Sequence, residues 1–159
     1  MTALCAALLL ILSGGGGGQA RSAEPVTLSV VPPESGLRPG SSARASVLVT
    51  VAKGWHINSA SPVDSDLVAT ALACTPPPGL AVAPVRFPPG VRRTFAFSSE
   101  PLDVFEGTVP LTLEISAAEG ILPGEYAIAI EVSYQACTNE ICLPPSTLRA
   151  TVPLRVTSP

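Results

Sequence analysis

"ARASVLVTV", residues 43–51, alternates without a break: Ala43, Ala45, Val47, Val49 and Val51 fall on one side, Arg44, Ser46 and Thr50 on the other. A period of two is the spacing of a β-strand, whose successive side chains point to opposite faces. The pattern recurs in both directions along the chain. Val26, Leu28 and Val30 share a face before Pro32-Pro33 ends the run. Val109, Leu111, Leu113 and Ile115 alternate with Thr108, Pro110, Thr112 and Glu114. Ile128, Ile130, Val132 and Tyr134 alternate with Ala129, Glu131, Ser133 and Gln135. Leu148, Ala150, Val152, Leu154 and Val156 alternate with Arg149, Thr151, Pro153 and Arg155. Segments near 67–74 and 80–87 add shorter strands, and no stretch carries helical periodicity.

Strands with one dry and one wet face belong to antiparallel sheets packed on a common core. Pro39-Gly40, Pro89-Gly90 and Pro123-Gly124 punctuate them as turns. Roughly seven short strands in about 135 residues predict an all-β fold, an immunoglobulin-like antiparallel β-sandwich. Pro110 and Pro153 lack a ladder donor and are expected at edges or on outward-facing sites. A chain of 159 residues with 47% hydrophobic content has the length and apolar material for one domain with one core. A net charge of −3 leaves no footprint for nucleic acid or anionic lipid.

The first residues predict export. Ala3 to Leu12 is an apolar run too short to span a bilayer and of the length of a signal h-region. The glycine run Gly14 to Gly18 leads to small residues, with cleavage expected after Ala20 or Ala23. Residues 1–23 are therefore assigned to a signal peptide and 24–159 to the mature domain. No Lys or Arg precedes the apolar run, so the n-region is weak. Cys5 lies too near the start to be a lipoprotein cysteine, because most of the apolar run follows it. No other stretch approaches the length of a membrane helix, so the mature chain is expected not to span a membrane. Export places paired cysteines where disulfides persist.

After signal removal Cys74, Cys137 and Cys142 remain. Cys137 and Cys142 flank a loop between the last two long strands, and Cys74 reads as a small buried hydrophobe. Two readings of the pair stay open, a staple or an exchanging couple. The chain-entropy model makes the staple weak: a ring of about six residues contributes about 2 kcal/mol, against about 3 for fifteen. An accessible loop at one end of a sandwich favours exchange. The surroundings do not activate a thiolate, since Glu140 lies between the cysteines and the nearest following cation is Arg149. Such a pair is expected to act only on a docked partner. A Cys₃His zinc site from Cys74, Cys137, Cys142 and His56 lacks knuckle spacing, and no metal or other cofactor is expected. His56 is the one histidine; no sequence feature sets it beside a cysteine or supplies a group to orient it.

"YQACTNEICLPP" (134–145), followed by "VPLRV" (152–156), resembles the Tyr-Gln-x-Cys…Cys-x-Pro-Pro signature of the N-terminal periplasmic domain family of the thiol:disulfide interchange protein DsbD. "GWHINSASPVDSDLVAT" (54–70), "PPGLAVAPVRFPPG" (77–90) and "VFEGTVPL" (104–111) match the spacing of that family too. The resemblance implies a redox pair that accepts electrons from a membrane-linked thioredoxin-like donor. It passes them to periplasmic oxidoreductases, including those serving cytochrome c biogenesis. It implies that Cys142 forms the mixed disulfide and Cys137 resolves it. It further implies an aromatic cap from "RRTFAFSSE" (92–100), Phe97 or, by a small gap shift, Phe95. His56 and Asn58 stand where the family often has aromatics beside the cysteines, and Tyr134 opens the signature. The multidomain reductase continues into a membrane-embedded domain where this sequence stops at Pro159, so the expected donor is a separate protein. The alternative from a different class is a non-catalytic binding or chaperone-like sandwich with a structural disulfide.

Overall fold

A computed structural model describes residues 24–63 and 66–158, and the proposed signal segment lies outside them. Every described element is a strand. They run β1 (Val26–Val31), β2 (Ser42–Val51), β3 (His56–Asn58), β4 (Ala71–Thr75), β5 (Leu80–Val82) and β6 (Val91–Arg93). β7 (Leu102–Phe105), β8 (Thr108–Ala117), β9 (Gly124–Tyr134), β10 (Ala136–Cys137) and β11 (Ser146–Val156) follow. Three antiparallel sheets result, ordered β1-β2-β8-β5, β11-β9-β4 and β10-β3-β7-β6. The fold is an immunoglobulin-like β-sandwich.

The long alternating runs build the two main sheets. Val47, Val49, Leu111, Leu113 and Ile115 share one core with Ile128, Ile130, Val132, Val152 and Leu154, all nearly solvent-free. The polar alternates point outward and meet across strands. Arg44 stands opposite Glu114, Arg149 opposite Glu131 and Arg155 opposite Glu125, each pair joined by an ion pair. Exposed pairs of this kind contribute at most about 1 kcal/mol each and serve mainly to fix register. Pro153 lies on the edge strand β11; Pro110 lies on the inner strand β8, but its ring faces outward.

The third sheet is made where strands of the main sheets run on past them. β2 leads into β3, β7 into β8, and β9 through Gln135 into β10. Two of these crossings turn on a left-handed glycine, Gly54 (φ 84) and Gly107 (φ 64). L side chains rarely adopt that backbone, so glycine is the residue that permits the turn. The Val51 N–H donates to the Gly107 carbonyl at 2.8 Å and locks the two crossings together.

β3 and β10 escape period-two reading because both their faces are covered. Ile57 pairs with Ala136 on one side and Phe105 on the other, and all three face the main core. The opposite face carries His56, Asn58, Cys137 and Val104. The chain between β6 and β7 folds over this outer face, and Phe95, Leu102 and Val104 form a second small cluster there, with Leu67 against it. His56, Ile57 and Asn58 are consequently all buried.

Candidate functional site

Cys137 and Cys142 are joined by a disulfide at the mouth of a tight hairpin, with their Cα atoms 4.0 Å apart. The chain folds this way because backbone bonds bracket the pair. The Leu143 N–H donates to the Ala136 carbonyl at 2.9 Å, and the Thr138 N–H to the Ile141 carbonyl at 2.8 Å. The Thr138 hydroxyl oxygen accepts from the N–H groups of Glu140 and Ile141, at 3.2 and 3.1 Å, and so closes the turn. The Gln135 side-chain amide donates to the Leu143 carbonyl at 3.1 Å and braces the hairpin base. None of these contacts is made by the sulfur atoms.

The two cysteines differ sharply in exposure. Cys137 is 1% exposed, because β10 is pinned between the hairpin and β3. Cys142 is exposed, as is its neighbour Ile141. Of the two, only Cys142 is a residue open to solvent. The surroundings of the pair lack a cation in contact.

His56 stands directly opposite Cys137 in the β3–β10 pairing, and both side chains share the outer face. The imidazole is 3% exposed, and its Nε2 has no hydrogen-bond partner among the described residues. Burial pushes its pKa below the ordinary histidine value, while the nearby Glu106 carboxylate pulls it back up. Glu106 follows β7, and the Arg93 guanidinium donates to both of its oxygens, with 2.8 Å to Oε2. That bond holds the Glu106 carboxyl below the usual carboxylate range. A cleft lined by Lys53, Trp55, His56, Glu106, Gly107 and Asn139 leads from this group to solvent.

Phe95 and Phe97, the two aromatics named for a cap, stack in a definite order on His56. Phe95 is buried and stacks on His56 with ring centroids 4.2 Å apart. Phe97, 48% exposed, stacks on Phe95 at 5.1 Å. Phe95 therefore holds the inner place and Phe97 the outer. Asn58 lies on the same face as His56, but its amide donates to the Val68 carbonyl at 2.9 Å, and its own carbonyl accepts from the Thr70 hydroxyl. Asn58 thus fastens the loop that follows β3. Tyr134 belongs to the main core rather than to the outer face. Cys74 is half-buried on β4, in the sheet that lacks His56, and burial raises its thiol pKa. No group of three or more metal-ligating side chains occurs among the described residues.

Sequence reasoning did not single out Glu106, Arg93 or Gln135. Glu106 lies within "VFEGTVPL" and Gln135 within the cysteine signature, but their contacts come from register and from long-range packing. Nothing local to Arg93 signals its bond to Glu106.

A family model described as the N-terminal domain of the thiol:disulfide interchange protein DsbD matches residues 28–154. Among curated proteins there is no match. Several solved structures are similar. The N-terminal domain of DsbD from Neisseria meningitidis in its reduced form is 15% identical, with a TM-score of 0.46, over 70% of this chain and 80% of that one. The N-terminal periplasmic domain of ScsB from Proteus mirabilis is 14% identical, with a TM-score of 0.49, over 81% of this chain and 44% of that one. A chain from the complex between the DsbD and PilB N-terminal domains of Neisseria meningitidis is 15% identical, with a TM-score of 0.45, over 77% and 80%.

Proposed function

This chain belongs to the family of N-terminal domains of the thiol:disulfide interchange protein DsbD, and from that premise we propose that it is a periplasmic thiol:disulfide exchange module. It passes reducing equivalents from a membrane-linked thioredoxin-like donor to periplasmic oxidoreductases. One observation carries the reading: the disulfide joins an exposed residue, Cys142, to a buried one, Cys137.

The chemistry follows from that asymmetry. A donor thiolate attacks Cys142 Sγ, the donor–Cys142 bond forms, and the electron pair of the old bond leaves on Cys137. A second donor thiol, resolving within the donor, releases the module as a dithiol. In the onward direction the Cys142 thiolate attacks an acceptor disulfide, and Cys137 then attacks Cys142 to expel the reduced acceptor. Phe95 covers His56, the cross-strand neighbour of Cys137, and the exposed Phe97 and Ile141 offer apolar surface to a docked partner. The export signal of residues 1–23 delivers the domain of residues 24–159 to the compartment where such partners act. No helix among the described residues is long and apolar enough to cross a membrane.

Equilibration with glutathione buffers of known potential, followed by thiol trapping, tests the reading. A midpoint in the range of exchanging couples, above about −300 mV, is expected; a midpoint far below that value marks an inert structural disulfide and refutes the exchange function.

A further inference from the structure

A buried imidazole beside a buried sulfur invites a chemical role that neither the cysteine loop nor the aromatic cap explains. Four side chains lie in one row across the third sheet. Cys142 faces Cys137 across the hairpin, and Cys137 faces His56 across β10–β3. Ile57 pairs with Phe105 and Asn58 with Val104, so the same register carried one residue further sets Glu106 opposite His56. Directly opposed residues of antiparallel strands point to the same face, with Cβ atoms about 4.5–5.5 Å apart. The order Cys142, Cys137, His56, Glu106 thus runs from the exposed sulfur to the cleft that opens on solvent. Phe95 roofs the imidazole, and Arg93 fixes the carboxylate at the far end.

From this row we infer that His56 is the proton carrier for Cys137 during exchange, with Glu106 as its positioning residue. The inference rests on the exchange reading above. In the mixed disulfide, Cys137 is a buried thiol and a poor nucleophile. Neutral His56 removes its proton, giving imidazolium and thiolate side by side. The thiolate attacks Cys142 Sγ, the Cys137–Cys142 bond forms, and the partner leaves as thiolate. The imidazolium then loses its proton to solvent through the cleft. In the opposite direction an incoming thiolate breaks the Cys137–Cys142 bond. The thiolate released on Cys137 takes a proton that enters from solvent through the same cleft and is relayed by His56, which is briefly imidazolium and ends neutral as it began. Each direction moves one proton and one electron pair, with no further oxidant or reductant. An imidazole kept neutral by burial is the form that the resolving direction requires.

The charges around His56 agree with this assignment. Glu106, beyond β7, is the carboxylate acting on it, held ionised by Arg93 of β6. Lys53 lines the cleft from the β2–β3 crossing. Glu140 of the hairpin turn and Glu100 of the chain that supplies Phe95 are both exposed. Cys137 and Cys142 supply the reacting sulfurs.

The test separates the two steps of exchange. The reduced domain is mixed with a thioredoxin-like protein whose disulfide can be captured, and capture and resolution are timed by acid quench from pH 5.5 to 8.5. General acid–base catalysis contributes about 10²–10⁴-fold. His56→Gln should therefore slow resolution by about 100-fold at pH 7 and leave a rate that climbs tenfold per pH unit, while capture changes by less than about threefold. Glu106→Gln should shift the pH midpoint of resolution downward, because the charge that raises the imidazole pKa is gone. Resolution within threefold of the parent protein in His56→Gln, with the same pH profile, overturns the inference and leaves the exchange reading standing. Absence of capture by the parent domain overturns both. If His56→Gln does not fold, NMR titration of the single histidine in the parent protein decides. Its pKa should differ between the disulfide and dithiol states by more than about half a unit, and identical titrations refute the role.

Discussion

Replacing Phe95 and Phe97 separately by alanine puts the cap geometry to a quantitative test. The two rings stack on each other 5.1 Å apart, and the family resemblance puts Phe97 first, with Phe95 in its place only by a small gap shift. The structure puts Phe95 inside. Phe95 is 7% exposed, lies against His56, and forms a cluster with Leu102 and Val104. Truncating a buried phenylalanine costs about 3–5 kcal/mol. The low end applies here, because the cluster is thin and the covering chain can settle, so about 3 kcal/mol is expected. Phe97 is about half exposed and gives up little more than its stacking partner, for which about 1 kcal/mol is the scale. The two variants should differ by about 2 kcal/mol, or about 6 °C in Tm for a domain of this size. Thermal and urea unfolding of the oxidised protein measure this directly. A second readout is the rate of disulfide reduction by dithiothreitol, which should rise in Phe95→Ala and change little in Phe97→Ala. Equal costs for the two variants, or a cost below about 1 kcal/mol for Phe95→Ala, would refute the inner and outer assignment.

Asn58→Ala should cost about 2 kcal/mol in urea unfolding, since it frees the Val68 carbonyl inside the loop, while exchange with a partner persists; loss of exchange at full stability would give Asn58 a chemical role instead. Gly107→Ala should cost about 1–2 kcal/mol from backbone strain alone, because φ is 64° and no atom lies within 4 Å of an added Cβ; an unchanged Tm would contradict the crossing geometry. Stability should also fall as pH drops below 6.5, because burial lowers the folded pKa of His56 and the unfolded chain then binds the extra proton. That contribution is complete above 6.5 and lost toward the folded pKa, and it should vanish in His56→Gln. The depressed pKa of Glu106 adds a second loss below its ordinary value of 4.5, as pH falls through its folded pKa. A Tm that does not vary between pH 7.5 and 4 would refute both signs.

The main sandwich was legible because β1, β2, β8, β9 and β11 each have one buried and one wet face, the condition that makes a period of two visible. β4 and β5 were legible as short segments, though their ends were not. The third sheet was hidden for a physical reason. His56-Ile57-Asn58 is buried on both faces, and β10 is two residues long, so neither alternates. The site inherits that blindness. Residue type and spacing marked Cys137 and Cys142, and the family signature marked the stretch that supplies Phe95. The placing of His56 beside Cys137, however, depends on a pairing between residues 81 positions apart in sequence, which no local pattern encodes. Glu106 and Arg93 meet for the same reason, through the register of β6 on β7.

The exposed residue Cys142 bonded to the buried residue Cys137 is the centre of the account, and single-cysteine capture tests it most directly. Cys137→Ser and Cys142→Ser variants are each incubated with the disulfide form of a thioredoxin-like partner and resolved on non-reducing gels. The account predicts a covalent complex with Cys137→Ser, held through Cys142 and released by dithiothreitol, and no complex with Cys142→Ser. Capture by Cys142→Ser through Cys137, or by neither variant, would contradict it, and the second result would mark the disulfide as a structural bond in a binding module.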